Sequence, residues 1–144
     1  MRKFDYNDPD ISQRMVAENE RAFAFLNKMP ILPGHTLICP KQPMALSEEL
    51  TPEIWSDILK LKELVCTKLK KTLHAKGFNF AWNQGLIAGQ TVPHFHLHVV
   101  PRKENDLSIA QYEPRVFLYR PGSRADSPRE ELIILSKELR EITT

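Results

Sequence analysis

Thr91-Val92-Pro93-His94-Phe95-His96-Leu97-His98-Val99-Val100-Pro101-Arg102 carries three of the chain's five histidines at alternate positions, with apolar residues between them and a proline near each end. A β-strand turns successive side chains to opposite faces, so this spacing predicts His94, His96 and His98 on one face and Phe95, Leu97 and Val99 on the other, toward a core. A helix would bring His94 and His98 together and turn His96 about 200° away. The Phe, Leu and Val residues favour the strand, and the prolines stand where a strand end tolerates them.

Outward from that stretch the chain reads as one α+β domain over residues 1–144. It has 144 residues, 42% hydrophobic and 26% charged, with a net charge of +2. This balance is compatible with an anionic small molecule and too weak to argue for nucleic acid. No apolar run approaches the roughly 18 residues that cross a bilayer, and the N-terminus has no apolar signal segment. Cys39 and Cys66 form no C-x-x-C pair and read as small buried hydrophobes, so the expected address is cytoplasmic.

Residues 5–21 are polar, with a turn at Asp8-Pro9-Asp10; Ile11 to Arg21 is either a short helix or an arm. Ala22–Leu26 reads as a strand ending at Asn27, and His35–Pro40 as its antiparallel neighbour across a Pro33-Gly34 turn of type II. Thr51-Pro52-Glu53 opens a helix whose Ile54, Ile58, Leu61, Val65 and Leu69 form one stripe, with Gly77 as its stop. Lys68, Lys70, Lys71 and Lys76 read as a solvated face. Phe78–Asn83 reads as a strand with Phe78, Phe80 and Trp82 facing the core, joined through residues 84–90 to the histidine strand. Arg115–Tyr119 is a candidate fifth strand. Ser127-Pro128 opens a final helix with Leu132, Leu135 and Leu139 on one side. The expected architecture is thus a mainly antiparallel five-stranded sheet with one long helix and a C-terminal helix.

Two chemistries compete for the histidines. Imidazole is a common metal ligand, but His94 and His98 on a strand stand about 13 Å apart, and no glycine between them allows the bend a shared ion requires. Same-face rings roughly 7 Å apart instead suit successive parts of an extended polyphosphate. The middle ring, mostly neutral at pH 7, then acts as a nucleophile on phosphorus, provided that its Nδ1–H is tied to a backbone carbonyl and Nε2 presents the lone pair. A flanking ring, when protonated, neutralises the departing oxygen. Gly89-Gln90-Thr91-Val92 can turn N–H groups and a hydroxyl toward the anion.

The run Ala88 to Arg102 resembles the signature of the histidine triad nucleotide hydrolases and transferases, and Phe25 to Leu37 resembles the same family's first strand pair. The likeness covers about residues 20–102 and is nearest the fragile histidine triad branch, the dinucleoside polyphosphate hydrolases. It implies that His96 takes up the nucleoside monophosphate, that His98 stands near the scissile bridge, and that His94 orders the site with His35 packed behind. It also implies that Asn27 contacts ribose, and that Asn83, Gly89, Gln90, Thr91 and Val92 lie along the phosphates with His98. Asn83 stands where that branch carries Gln. His98 occupies a position that is Gln in the uridylyltransferases, which favours water as the final acceptor. Phe23, Phe25 and Leu26 read first as core and second as walls for adenine. The resemblance further implies a homodimer joined through a helix and an edge strand. No protein-bound metal is required; a magnesium or manganese ion can travel with the substrate. The expected activity is hydrolysis of adenosine polyphospho-compounds. A purine-nucleoside phosphoramidase and a nucleotide-binding signalling module are the alternatives.

Overall fold

A computed structural model describes residues 3–106 and 126–142. After a one-turn helix α1 (Pro9–Ser12), strands β1 (Met15–Glu18), β2 (Ala22–Leu26) and β3 (Thr36–Pro40) follow. Helix α2 (Pro52–Leu73), strands β4 (Gly77–Ala81) and β5 (Leu97–Arg102) and helix α3 (Arg129–Glu141) complete the order. The strands form one antiparallel sheet in the order β1-β2-β3-β5-β4. The fold class and the strand count match expectation, but one strand differs. The undecided segment after Ile11 supplies the edge strand β1, while Arg115–Tyr119 lies outside the described residues. Val16 is buried in β1, which explains how so polar a stretch is held.

Helix α2 forms where its caps and stripe predict. The Thr51 hydroxyl accepts from the Ile54 N–H at 3.2 Å, and Pro52 occupies the first turn. Ile54, Ile58, Leu61, Val65 and Leu69 are all buried against Ala24, Leu26, Ile38, Phe95, Leu97 and Val99. Each such side chain contributes roughly 1.5–3 kcal/mol by leaving water. The helix stops at His74 in the left-handed conformation (φ 59°), three residues before the expected Gly77, which instead opens β4. Lys68 is not solvated: it is buried, and its Nζ donates to the carbonyls of Leu139 (2.7 Å) and Ile142 (3.1 Å). That ammonium supplies the donors which the C-terminal end of α3 lacks. Helix α3 itself starts at Arg129 with Pro128 as its cap and no side-chain capping bond, so the cap falls one residue beyond the expected Ser127.

Period two sorts the sheet residues onto its faces. Ala22, Ala24 and Leu26 point at α2, whereas Phe23, Phe25, Leu37 and Cys39 form a second cluster on the opposite face with Ile11 and Met15. On β4 the expected core aromatics are half-out: Phe80 and Trp82 are each 43% exposed, because β4 is an edge strand. No helix among the described residues is long and apolar enough to cross a membrane.

Candidate active site

The register builds one row across the face of the sheet opposite α2: Met15 beside Phe25, Phe25 beside Leu37, Leu37 beside His98. A cavity of about 230 Å³ opens over this row. Phe25, Asn27, Leu37, Thr91, Val92, His96 and His98 line it on the strand side, and Phe4, Asp10, Ile11 and Arg14 on the N-terminal side.

The histidines differ from a simple strand row. His94 lies in a bend and His96 just before β5; only His98 is within the strand. The alternation nevertheless persists, since Phe95, Leu97 and Val99 are buried on the α2 side. The bend follows from what His94 bonds. Its Nδ1 accepts the Phe4 N–H at 3.1 Å, so the neutral ring carries its proton on Nε2, which donates to the Pro40 carbonyl at 2.7 Å. His94 is therefore sealed behind the cavity.

The His94 carbonyl in turn accepts from His96 Nδ1 at 2.8 Å. A carbonyl has no proton to give, so His96 carries its hydrogen on Nδ1 and a bare lone pair on Nε2. Burial lowers the His96 pKa, the carbonyl bond opposing it in part, and burial lowers that of His94 too. Both rings are thus held neutral at pH 7.

A second chain of bonds sets the other ring. The Ile31 N–H donates to His35 Nδ1 at 3.0 Å, which leaves the proton of neutral His35 on Nε2, and this donates to His98 Nδ1 at 2.9 Å. His98 then carries its proton on Nε2. The His96 and His98 rings lie 5.1 Å apart at 67°, one bearing a lone pair and the other an N–H. An electrophile between them meets both.

The remaining predicted residues separate into two groups. Asn27 lines the cavity at the end of β2, and its Oδ1 accepts from the Met29 N–H at 2.9 Å. Thr91 and Val92 also line it. Gly89 and Gln90 do not: their N–H groups donate to the Leu86 and Gly85 carbonyls. The Gln90 side chain closes the loop, accepting from the Gly85 N–H and donating to the Ala45 carbonyl. Of the nest expected over residues 89–92, only Thr91 and Val92 line the cavity. Asn83 is half-buried just past β4 and His35 is wholly buried; neither lines this cavity. Of the adenine walls considered, Phe25 lines the cavity, Phe23 packs in the buried cluster beside it, and Leu26 belongs to the α2 side. Sequence reading did not find Phe4, whose ring sits edge-on to His96 at 5.2 Å, or Arg14, because both lie in a polar stretch without periodicity.

The antiparallel sheet with α2 on one face, and paired imidazoles of opposite proton placement beside a cavity on the other, define an α+β protein with a histidine site. The chain belongs to the HIT domain family, which it matches over residues 8–105. It is 35% identical over 123 residues to a bis(5′-adenosyl)-triphosphatase from Dictyostelium discoideum, covering 84% of this chain and 79% of that one. It is 34% identical over 100 residues to an adenosine 5′-monophosphoramidase from Schizosaccharomyces pombe, covering 69% and 72%. Among solved structures, a hypothetical histidine triad nucleotide-binding protein from Sulfolobus tokodaii superposes with a TM-score of 0.72 at 29% identity, over 89% of this chain and 81% of the other.

Proposed function

We propose that this protein hydrolyses dinucleoside polyphosphates, or related nucleotides that yield AMP, through a nucleotidyl-His96 intermediate. One observation carries the reading: the His96 Nδ1–H is held by the His94 carbonyl, which leaves Nε2 as a lone pair beside the His98 Nε2–H. His96 Nε2 attacks the α-phosphorus and the bond to the bridging oxygen breaks. The phosphate leaves as an anion, and the His98 Nε2–H donates a hydrogen bond to the departing oxygen. The His94 carbonyl meets the positive charge that develops on the His96 ring. Water then attacks the phosphorus and loses a proton to solvent, and the phosphorus–nitrogen bond breaks, which returns the lone pair to His96 Nε2 and releases the nucleoside monophosphate. Asn27 is assigned to ribose, and Thr91 and Val92 to the phosphates. Names among the relatives support both the enzyme class and an adenosine-containing substrate.

Rapid quench with a labelled dinucleoside triphosphate should trap an acid-labile, base-stable adduct. Turnover persisting in His96→Ala would overturn the mechanism. The likeness to a monophosphoramidase favours a second reading in which the same residues cut a P–N bond. Turnover of an amine adenylate against diadenosine triphosphate separates the two.

We further assign a homodimer built through the β4 edge and α2, supported by the exposed Phe80, Trp82 and Leu59 on that side. Sedimentation of wild type against Trp82→Glu tests it. A divalent ion is assigned to the substrate's phosphates rather than to the protein, and a cytoplasmic site of action is supported by the free, buried Cys39 and Cys66.

A further inference from the structure

At the end of the cavity away from the histidines, Arg14 makes an arrangement that catalysis does not require. Its side chain is 5% exposed, and its guanidinium carbon stands 5.3 Å from the centre of the Phe25 ring. Nε donates to the Asp10 carbonyl at 2.8 Å and Nη1 to the Leu26 carbonyl. Nη2 reaches Asp10 Oδ2 only at 3.4 Å. A guanidinium has five N–H donors, so among the described residues each terminal nitrogen keeps one N–H with no protein acceptor. Burying an arginine with so long a carboxylate contact is costly, and the cavity lies directly in front of it.

Position adds to this. Arg14 stands opposite Leu26, whose N–H bonds the Arg14 carbonyl at 2.9 Å, at the β1 side of the row formed by Phe25, Leu37 and His98. From the β5 column to β2 is two strand spacings, roughly 10 Å, the reach of a nucleoside from its 5′-phosphate to the far edge of its base. A base lying on Phe25 and Leu37 therefore meets Arg14 and Asp10 with its edge.

Of the two free N–H groups, the one on Nη2 stands beside Asp10 Oδ2, so these two atoms offer one donor and one acceptor side by side. The other Asp10 oxygen is already taken, since Arg129 Nη1 donates to Oδ1 at 2.6 Å. An edge presenting one donor beside one acceptor fits, and adenine's 6-amino group beside a ring nitrogen is such an edge. Guanine's edge presents a further amino group that finds no second acceptor here.

We propose that Arg14 and Asp10 are specificity-determining residues that read the purine edge, with Arg14 donating to a ring nitrogen and Asp10 Oδ2 accepting from the 6-amino group. This rests on the nucleotide reading of the same cavity. A 6-oxo purine held in that register sets its oxygen against the Asp10 carboxylate.

Calorimetric titration of the full chain with AMP, IMP and purine riboside 5′-monophosphate tests it without turnover. Wild type should bind AMP at least about tenfold more tightly than either analogue, the scale of one hydrogen bond lost or opposed. In Arg14→Met and Asp10→Asn the three nucleotides should converge to within about threefold. Arg14→Lys, which keeps the charge and loses the fork, should converge likewise. A merely structural role for Arg14 would weaken all three nucleotides alike and leave their ratios unchanged. Equal wild-type affinities overturn the proposal even if no variant folds. AMP bound with this preference but never produced from a polyphosphate would sink the hydrolase reading and leave the base reading standing. No binding of any of the three sinks both.

Discussion

His35→Ala removes a buried ring that does not line the cavity, and its expected consequence for the chemistry follows from two hydrogen bonds. The Ile31 N–H loses its acceptor at 3.0 Å, and His98 Nδ1 loses the donor at 2.9 Å that keeps the His98 proton on Nε2. The first loss strands a buried donor and costs about 1–3 kcal/mol of stability; the emptied ring site adds a cavity term. The second loss is the one that reaches catalysis. A net hydrogen bond of about 0.5–1.5 kcal/mol no longer selects the tautomer and orientation of His98, which lowers kcat by roughly three- to tenfold. His96→Ala, by contrast, abolishes the covalent route altogether. The assay is single-turnover quench on three adenylates that differ in their leaving group: an amine, a nucleoside diphosphate and p-nitrophenolate. The amine needs a proton most and p-nitrophenolate least, so the deficit in His35→Ala should be greatest for the first and vanish for the last. An equal deficit on all three would show that His35 acts only through stability, and the assignment of the His98 proton would fall with it.

Three further outcomes are expected. Lys68→Met should lower stability by about 2 kcal/mol, since it removes a charged donor from the last carbonyls of α3. This should be seen in thermal unfolding, with kcat/KM unchanged. Gly34→Ala should cost more than about 1 kcal/mol, because Gly34 has φ +92° and an added Cβ would lie 2.6 Å from Leu73 Cδ1. An undisturbed urea midpoint would contradict that geometry. Burial holds His94 and His96 below the ordinary imidazole value of about 6.5, so the unfolded chain binds more protons as the pH falls. Their contribution is complete above that value and is lost progressively below it. Urea midpoints should drop between pH 7 and pH 5, and less steeply in His94→Phe.

What could be read without coordinates had short-range causes. The α2 stripe, the Thr51 cap and the Pro33-Gly34 turn are written in spacings of a few residues, and so are the outward turn of His96 and His98 and the inward turn of Phe95 and Leu97. The tied Nδ1 of His96 was also foreseeable, because a nucleophilic imidazole needs a defined tautomer and a neighbouring carbonyl is the nearest acceptor. What escaped depended on partners far along the chain. β1 has little pattern of its own and exists because β2 offers it an edge. Lys68 looked like a surface charge until a helix end 71 residues away needed its donors. Phe80 and Trp82 alternate like core residues, yet β4 is the last strand, and only the sheet order reveals that. The His94 bend belongs to the same class, since it is set by Phe4, 90 residues distant.

That last contact changes how the site should be understood. Both reactive rings receive their proton placement from main-chain atoms rather than from acidic side chains. One chain of bonds runs from the Ile31 N–H through His35 to His98, and the other ties His96 to the His94 carbonyl while the Phe4 N–H holds His94 in place. A carboxylate partner would raise the imidazole pKa and favour the charged ring; a peptide carbonyl orients the ring while giving burial the upper hand. His96 is therefore kept neutral with its lone pair on Nε2, and its neighbour keeps an N–H there, although the two are chemically identical side chains 5.1 Å apart. The difference between them lies in the backbone atom each one faces, a carbonyl for His96 and, through His35, an amide for His98. Replacing His35 by a residue that only accepts at that position should invert the His98 tautomer. His35→Glu is accordingly expected to be slower than His35→Ala on amine leaving groups, although it fills more of the site.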